Sequence, residues 1–285
     1  MRVNIHFAAT CQQAALPLFT GCGRNAASRP EGAIATGWLG LPEGEGWPDQ
    51  DYNSSCGIFH SQPPKGIGMS LTLYAHPFAA YCWKVLIALY EKETPFTYRV
   101  IEDAAGWTEL ESLWPIKRFP LLRDGTRLIA ESSIIVEHLM VHHSDSASLI
   151  PEHVDAALTV RFMDRFFDNY VMTPMQTLVA DRMRTEVERD PKRVTDARTL
   201  LDVAYGWLEK PLTQHVWAAA GEFTLADCAA APALFYADWV HPIGERFPGV
   251  RDYRRRVLAR PSVARTVNEA RPYRKLFPLG APARD

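Results

Sequence analysis

The stretch Arg118–Leu139, RFPLLRDGTRLIAESSIIVEHL, decides the fold. Two short apolar runs, Leu121-Leu122 and Leu128-Ile129, flank Asp124-Gly125, a strong two-residue hairpin signal. Glu131-Ser132-Ser133 then stands where a helix N-cap is expected, followed by Ile134, Ile135, His138 and Leu139 at helical spacing. Upstream, Leu71–Ala75 alternates as a short strand that Pro77 ends. Ala79–Glu91 follows as an amphipathic helix with Cys82, Val85, Leu86 and Leu89 along one face. Phe96–Ile101 reads as a second strand, and GWTELESLWP as a short helix that Pro115 ends. A βαβ unit followed by a ββα unit buries one mixed sheet beneath helices.

Beyond SASLIPEHV (residues 146–154), which reads as a linker, no strand pattern recurs. Asp155–Arg184 is one long helical pattern with a kink expected at Pro174. RVTDARTLLDVAYGWLEKPL is a second helix, and TLADCAAAPALFYADWV a buried central one. Thr224 and Asp227 have the spacing of a capping box, which is a better account of Asp227 than catalysis. Two more short helices separate at Pro261.

The first 68 residues differ in kind. They are rich in Gly, Pro, Asn and Ser and lack sustained periodicity, so a poorly ordered extension is expected there, with Met69 as the native start. LFTGC has the outline of a lipoprotein cleavage box, but the segment before it is broken by His6, Gln12 and Gln13. No apolar run approaches the ~18 residues of a membrane span. A net charge of −2 gives no support for nucleic-acid binding, and RDYRRR (Arg251–Arg256) reads as a solvated helix face. Five cysteines without a CxxC pair fit a reducing cytoplasm. His76, His142, His143 and His241 show no metal-ligand spacing; solvent exposure is their default, and no metal is expected.

RFP before the third strand and ESS before the last helix of this order resemble the thioredoxin-like domain of glutathione transferases, and AAGEFTLADCAAAPALF resembles their helical C-terminal domain. The resemblance covers the chain from Met69 onward. It implies an α/β plus all-α fold: an extension over 1–68, a thioredoxin-like βαβ–ββα glutathione-binding domain over 69–145, the linker, and an all-helical domain over 155–285. In that family the proline matching Pro120 is cis, and the backbone of the residue before it, here Phe119, pairs with the cysteinyl part of glutathione. Glu131 and Ser132 match the residues that hold the γ-glutamyl end, at a helix start that suits a carboxylate. Lys117 and Arg118 are placed to approach the glycyl carboxylate. The resemblance also implies a homodimer and an electrophile pocket between the domains, with Phe78, Phe166, Tyr170, Met172 and Met175 as candidate apolar walls. For the Met and aromatic stripe, core packing is the competing account.

The family often places a Ser, Tyr or Cys at the first turn of the first helix, facing the glutathione sulfur. Here that turn reads Phe78-Ala79-Ala80-Tyr81-Cys82, with Ala79 at the usual position. A lost hydroxyl donor is worth about 1.5–3 kcal/mol to a thiolate. The helix terminus itself still lowers a thiol pKa. The expected function is a slowed glutathione transferase, conjugating glutathione thiolate to a small apolar electrophile and serving detoxification. Two alternatives stand beside it: thiol–disulfide or deglutathionylation chemistry through Cys82, and a glutathione-transferase-like binding protein without catalysis.

Overall fold

The computed structural model describes residues 71–144 and 148–285. The expectations of a poorly ordered extension and of a native start at Met69 lie outside the described residues, as does part of the 146–154 linker. The first half contains β1 (Leu71–Ala75), α1 (Ala80–Glu91), β2 (Thr97–Val100), α2 (Ala104–Leu113), β3 (Leu121–Asp124), β4 (Arg127–Ala130) and α3 (Ser132–His142). The strands form one mixed sheet in the order β2-β1-β3-β4. β1 runs parallel to β2 and antiparallel to β3, with Leu73 opposite Tyr98 on one side and Leu122 on the other. A central strand flanked on both sides suits β1, which is buried along its whole length.

The β3–β4 turn is one residue later than the sequence signal suggests. Asp124 pairs with Arg127, so the two-residue loop is Gly125-Thr126. Gly125 takes φ 59°, a conformation glycine accepts without a Cβ penalty. Asp124 stays in the ladder, and its carboxylate turns inward.

Helix α1 is buried on two faces. Cys82, Val85, Leu86 and Leu89 pack on the sheet, while Trp83, Ile87 and Ala88 pack against the helical half. That half contains α4 (Val154–Phe166), α5 (Thr173–Met183), α6 (Pro191–Gln214), α7 (Leu225–Val240), α8 (Pro248–Leu258) and α9 (Pro261–Ala270). Every residue of α7 is buried, as expected for a central helix. The Thr224–Asp227 capping box forms, and Asp227 also accepts from the Ala218 amide and the Tyr253 hydroxyl. The RDYRRR face is only partly solvated, because Tyr253 is buried and Arg254 pairs with Asp238.

The expected kink takes the form of a π-helical segment, Phe167–Met172, lying before Pro174. Pro174 has no N–H for the carbonyl four residues back, and the Thr173 amide bonds Asp168 O, five residues back.

Two polar locks join α1 to the helical half. Lys84, 1% exposed, donates to Asp164 Oδ1 at 2.7 Å, to Asp168 Oδ1 and Oδ2 at 2.8 and 2.7 Å, and to Ser133 Oγ at 3.1 Å. Arg165 Nη2 closes the cluster on Asp164 Oδ2 at 2.8 Å and Asp168 Oδ2 at 2.6 Å. At the other end of α1, Glu91 accepts from Arg260 at 2.9 and 2.6 Å and from Ser262 at 2.5 Å.

Lys84→Met leaves two buried carboxylates with Arg165 as their one cation in the cluster and Ser133 as a neutral donor to Asp164. Breaking a buried pair from one side costs about 3–5 kcal/mol, and a urea melt should show a loss of that size. Burial pushes the Glu91 carboxyl up, but the hydrogen bonds from Arg260 and Ser262 outweigh it and hold the group below its ordinary value. A lowered folded pKa stabilises above the unfolded value, about 4.3, and that contribution is lost as pH falls through the folded value. Glu91→Gln should therefore destabilise at neutral pH and flatten the acid limb of the Tm–pH curve.

Candidate functional site

The sheet register brings the sequence-predicted segments to one end of the sheet. Leu121 lies opposite both Tyr74 and Ala130. The Phe119-Pro120 dipeptide, the turn after β1 and the Glu131-Ser132 start of α3 therefore converge. The Phe119–Pro120 peptide is cis. Phe119 packs between Trp107, with ring centroids 5.5 Å apart, and His76 at 6.5 Å.

Ala79 is the N-cap of α1, extended at φ −94° and ψ 121°, and makes no side-chain cap. Its carbonyl accepts from the Cys82 amide at 2.9 Å and the Trp83 amide at 3.2 Å, so the helix closes regularly without a hydroxyl. Ala80 and Tyr81 are half-buried, and the Tyr81 ring lies 5.9 Å from Lys84 Nζ. Glu131 takes the N-cap position of α3 at φ 67° and gives no side-chain cap, while Ser132 is the buried first residue of that helix. The Glu131-Ser132-Ser133 cap is thus absent as a hydrogen bond. Ser133 instead donates to Asp164 Oδ2 at 2.8 Å.

The helix starts differ in a telling way. α2, α6 and α7 are capped by Asp103, Asp190 and the Thr224–Asp227 box. α5, α8 and α9 have proline in the first turn, and α4 has Asp155. Among the described α-helices, only α1 and α3 begin with no side-chain cap, no first-turn acid and no first-turn proline. These two starts flank the cis-proline dipeptide. An uncapped helix start presents amide donors and the positive end of the dipole, which together receive an anion.

Of the other predicted residues, two cations directly precede the cis dipeptide. Lys117, exposed at φ 56°, pairs with Glu111 at 2.5 Å, and Arg118 is half-buried. Phe78 is fully buried among Tyr236, Trp239 and Phe277. Met172 and Met175 are core residues of the helical half. All three lie in one core cluster, the packing that competes with a pocket-wall role for them. Phe166 is buried but stacks on Trp207 at 4.4 Å, and Tyr170, 5.2 Å from Phe166, is exposed. Cys82 is sealed between α1 and the sheet, and burial pushes its thiol up to about 12. The Cys82 alternative needs an accessible, acidic thiol, and this one is neither.

Sequence reasoning missed two groups. Lys84 is one, although a lone lysine inside CWKVLIALY was its visible signal. The other is His76, expected at the surface but 2% exposed, with burial holding its imidazole below the ordinary value. Its Nδ1 accepts the Phe78 amide at 3.1 Å, and its buried Nε2 has no partner. His76 thus braces the turn that opens α1.

Family models match both halves: glutathione S-transferase, N-terminal domain, over residues 73–147, and glutathione S-transferase, C-terminal domain, over 161–261. A glutathione S-transferase of Silene vulgaris is 27% identical over 220 residues, covering 70% of this chain and 97% of the relative. FtsZ-localized protein A of Caulobacter vibrioides is 27% identical over 179 residues, covering 59% of this chain and 77% of that protein. A glutathione S-transferase of Methylobacterium radiotolerans, solved in complex with glutathione sulfonate, shares a TM-score of 0.61 and 27% identity, covering 70% of this chain and 94% of that one. With both domain models matched in order along one continuous chain, the protein belongs to the glutathione S-transferase family.

Proposed function

We propose that this chain conjugates glutathione to a small apolar electrophile, using the uncapped start of α1 in place of a side-chain hydroxyl. The observation that carries the proposal is the pairing of two uncapped helix starts, α1 and α3, on either side of the cis Phe119–Pro120 peptide. Phe119 offers its backbone to the cysteinyl unit, and the first amides of α3 with the Ser132 hydroxyl take the γ-glutamyl carboxylate. Lys117 and Arg118 neutralise the glycyl end, Lys117 by exchanging Glu111 for the ligand. The sulfur then lies at the start of α1 by Ala79 and Ala80, where backbone amides stabilise the thiolate. The Methylobacterium relative, with glutathione sulfonate bound, supports the ligand class. Catalysis is positioning plus electrostatics, with no covalent protein intermediate. We place the protein in the cytoplasm, acting in detoxification.

Calorimetry should detect glutathione binding to the wild type, and Ser132→Ala should weaken it by about 1.5–3 kcal/mol, the worth of a hydrogen bond to a charged group. Ala79→Ser should lower the pKa of the bound thiol by roughly one to two units, read as thiolate absorbance against pH. It should also raise turnover with an aromatic electrophile. Absence of glutathione binding in both wild type and Ala79→Ser removes this function. Binding without turnover in both leaves the non-catalytic reading.

The same proposal includes a homodimer. Phe162, Tyr170 and Trp207 are 50%, 46% and 48% exposed, and each makes ring contact with Phe166. An exposed aromatic row of this kind marks a protein contact. Sedimentation velocity should find a dimer that Trp207→Glu dissociates, and a wild-type monomer at micromolar concentration would overturn this assignment.

A further inference from the structure

We propose a site for one divalent late-transition ion, zinc by donor chemistry, formed by Asp124, His138 and His143 at the hairpin end of the sheet. Asp124 ends β3, His138 lies on α3, and His143 is the C-cap of that helix. His138 Nε2 lies 2.8 Å from Asp124 Oδ2, and His143 Nε2 lies 2.9 Å from the same oxygen. One ligand atom from each residue falls within 4.8 Å of the others. Two imidazoles and a carboxylate, with a fourth position left to solvent, are a zinc-type donor set.

A second observation separates this cluster from a simple hydrogen-bonded anchor. Asp124 is 5% exposed, and its Oδ1 is buried without a partner. A buried carboxylate oxygen left unsatisfied is costly, and two imidazole donors on the other oxygen do not relieve it. A cation held by both oxygens of Asp124 engages the orphan Oδ1 together with Oδ2 and the two rings. The two histidine side chains are themselves only 9% and 16% exposed, so the site is walled by protein.

Ligand–ligand edges around tetrahedral zinc are about 3.3 Å, from bond lengths of about 2.0–2.1 Å. The present 2.8 and 2.9 Å contacts need a spread of a few tenths of an ångström. Each ring binds the ion through Nε2 with its one remaining proton on Nδ1, and a proton held on Nε2 leaves to Nδ1 or to solvent on binding. His142 stands outside the set. It is exposed, its ring is 4.4 Å from His138, and its Nε2 lies 3.4 Å from Arg127 Nη1.

The test uses the full chain, stripped with chelator and free of glutathione. Calorimetry with zinc chloride should give one site, and cobalt(II) should give visible d–d bands of a four- or five-coordinate ion. Loss of a ligand costs at least what loss of a supporting hydrogen bond does, roughly tenfold, so His138→Gln and His143→Gln should each weaken zinc by that factor or more and remove the cobalt bands. His142→Gln should leave both unchanged. Zinc should raise the Tm of the wild type but not of His143→Gln, whose position at a helix end keeps the test available if His138→Gln misfolds. No stoichiometric zinc binding, or equal affinity in wild type and His143→Gln, overturns the site.

Discussion

The buried ammonium of Lys84 sets the geometry on which the rest depends. It sits inside a helix buried on both faces, so it has no route to water. Asp164 and Asp168 occur four residues apart, which puts both carboxylates on one face, and Arg165 and Ser133 complete a set of two positive and two negative groups. Such a cluster gains little over a well-packed apolar one, since desolvation offsets most of the Coulomb attraction. Burial accordingly pushes the Asp168 carboxyl up, against the opposing pull of Lys84. Its contribution is to fix position: α4 and the π-helical segment that continues it can sit beside α1 only where both carboxylates reach Nζ, and the same contacts draw in Ser133 at the start of α3.

That fixing matters because the chemistry is assigned to backbone. Amides at a helix start act at short range, and their effect falls off within the first turn. A side-chain hydroxyl tolerates small displacements by rotating, whereas an amide cannot. With Ala79 in place of a hydroxyl residue, α1 gives up a cap worth about 1 kcal/mol. It also depends on His76, Lys84 and the Glu91–Arg260 pair to keep its axis aimed. Cys82, three residues along, faces the sheet and takes no part.

Much of this was legible in the residues. The hairpin, the central helix, the Thr224–Asp227 box and the cis-proline segment followed from local spacing and from a family pattern, because each is set by neighbours in sequence. The failures share a cause. The one-residue shift of the hairpin loop reflects Asp124 being held in the ladder and by two histidines 14 and 19 positions away. Lys84 finds its acids 80 and 84 residues on, and Phe78 is covered by Tyr236, 158 residues on. No local period records such partners. His76 carries no local sign of its burial, since polarity is the only signal its sequence neighbourhood offers. The π-helical segment was legible only as a proline, since which backbone pattern relieves a missing N–H depends on what α4 must touch.

The strand β3 and the helix α3 connect the two polar ends of the sheet domain. Leu121, at the start of β3, lies beside the cis-proline segment, and Asp124, at its end, holds His138 and His143. Helix α3 runs the same span, with Ser132 at one end and His143 capping the other. Eleven residues of helix measure about 16 Å, and the four residues of β3 about 13 Å. The start of α3 is tied through Ser133 to the Lys84 cluster, and its end through two imidazoles to one carboxylate. A helix held at both ends cannot slide along its axis. The amides proposed for the γ-glutamyl carboxylate are therefore positioned by contacts a full helix length away, which is why a donor set at the far end of α3 bears on the rigidity of the proposed site.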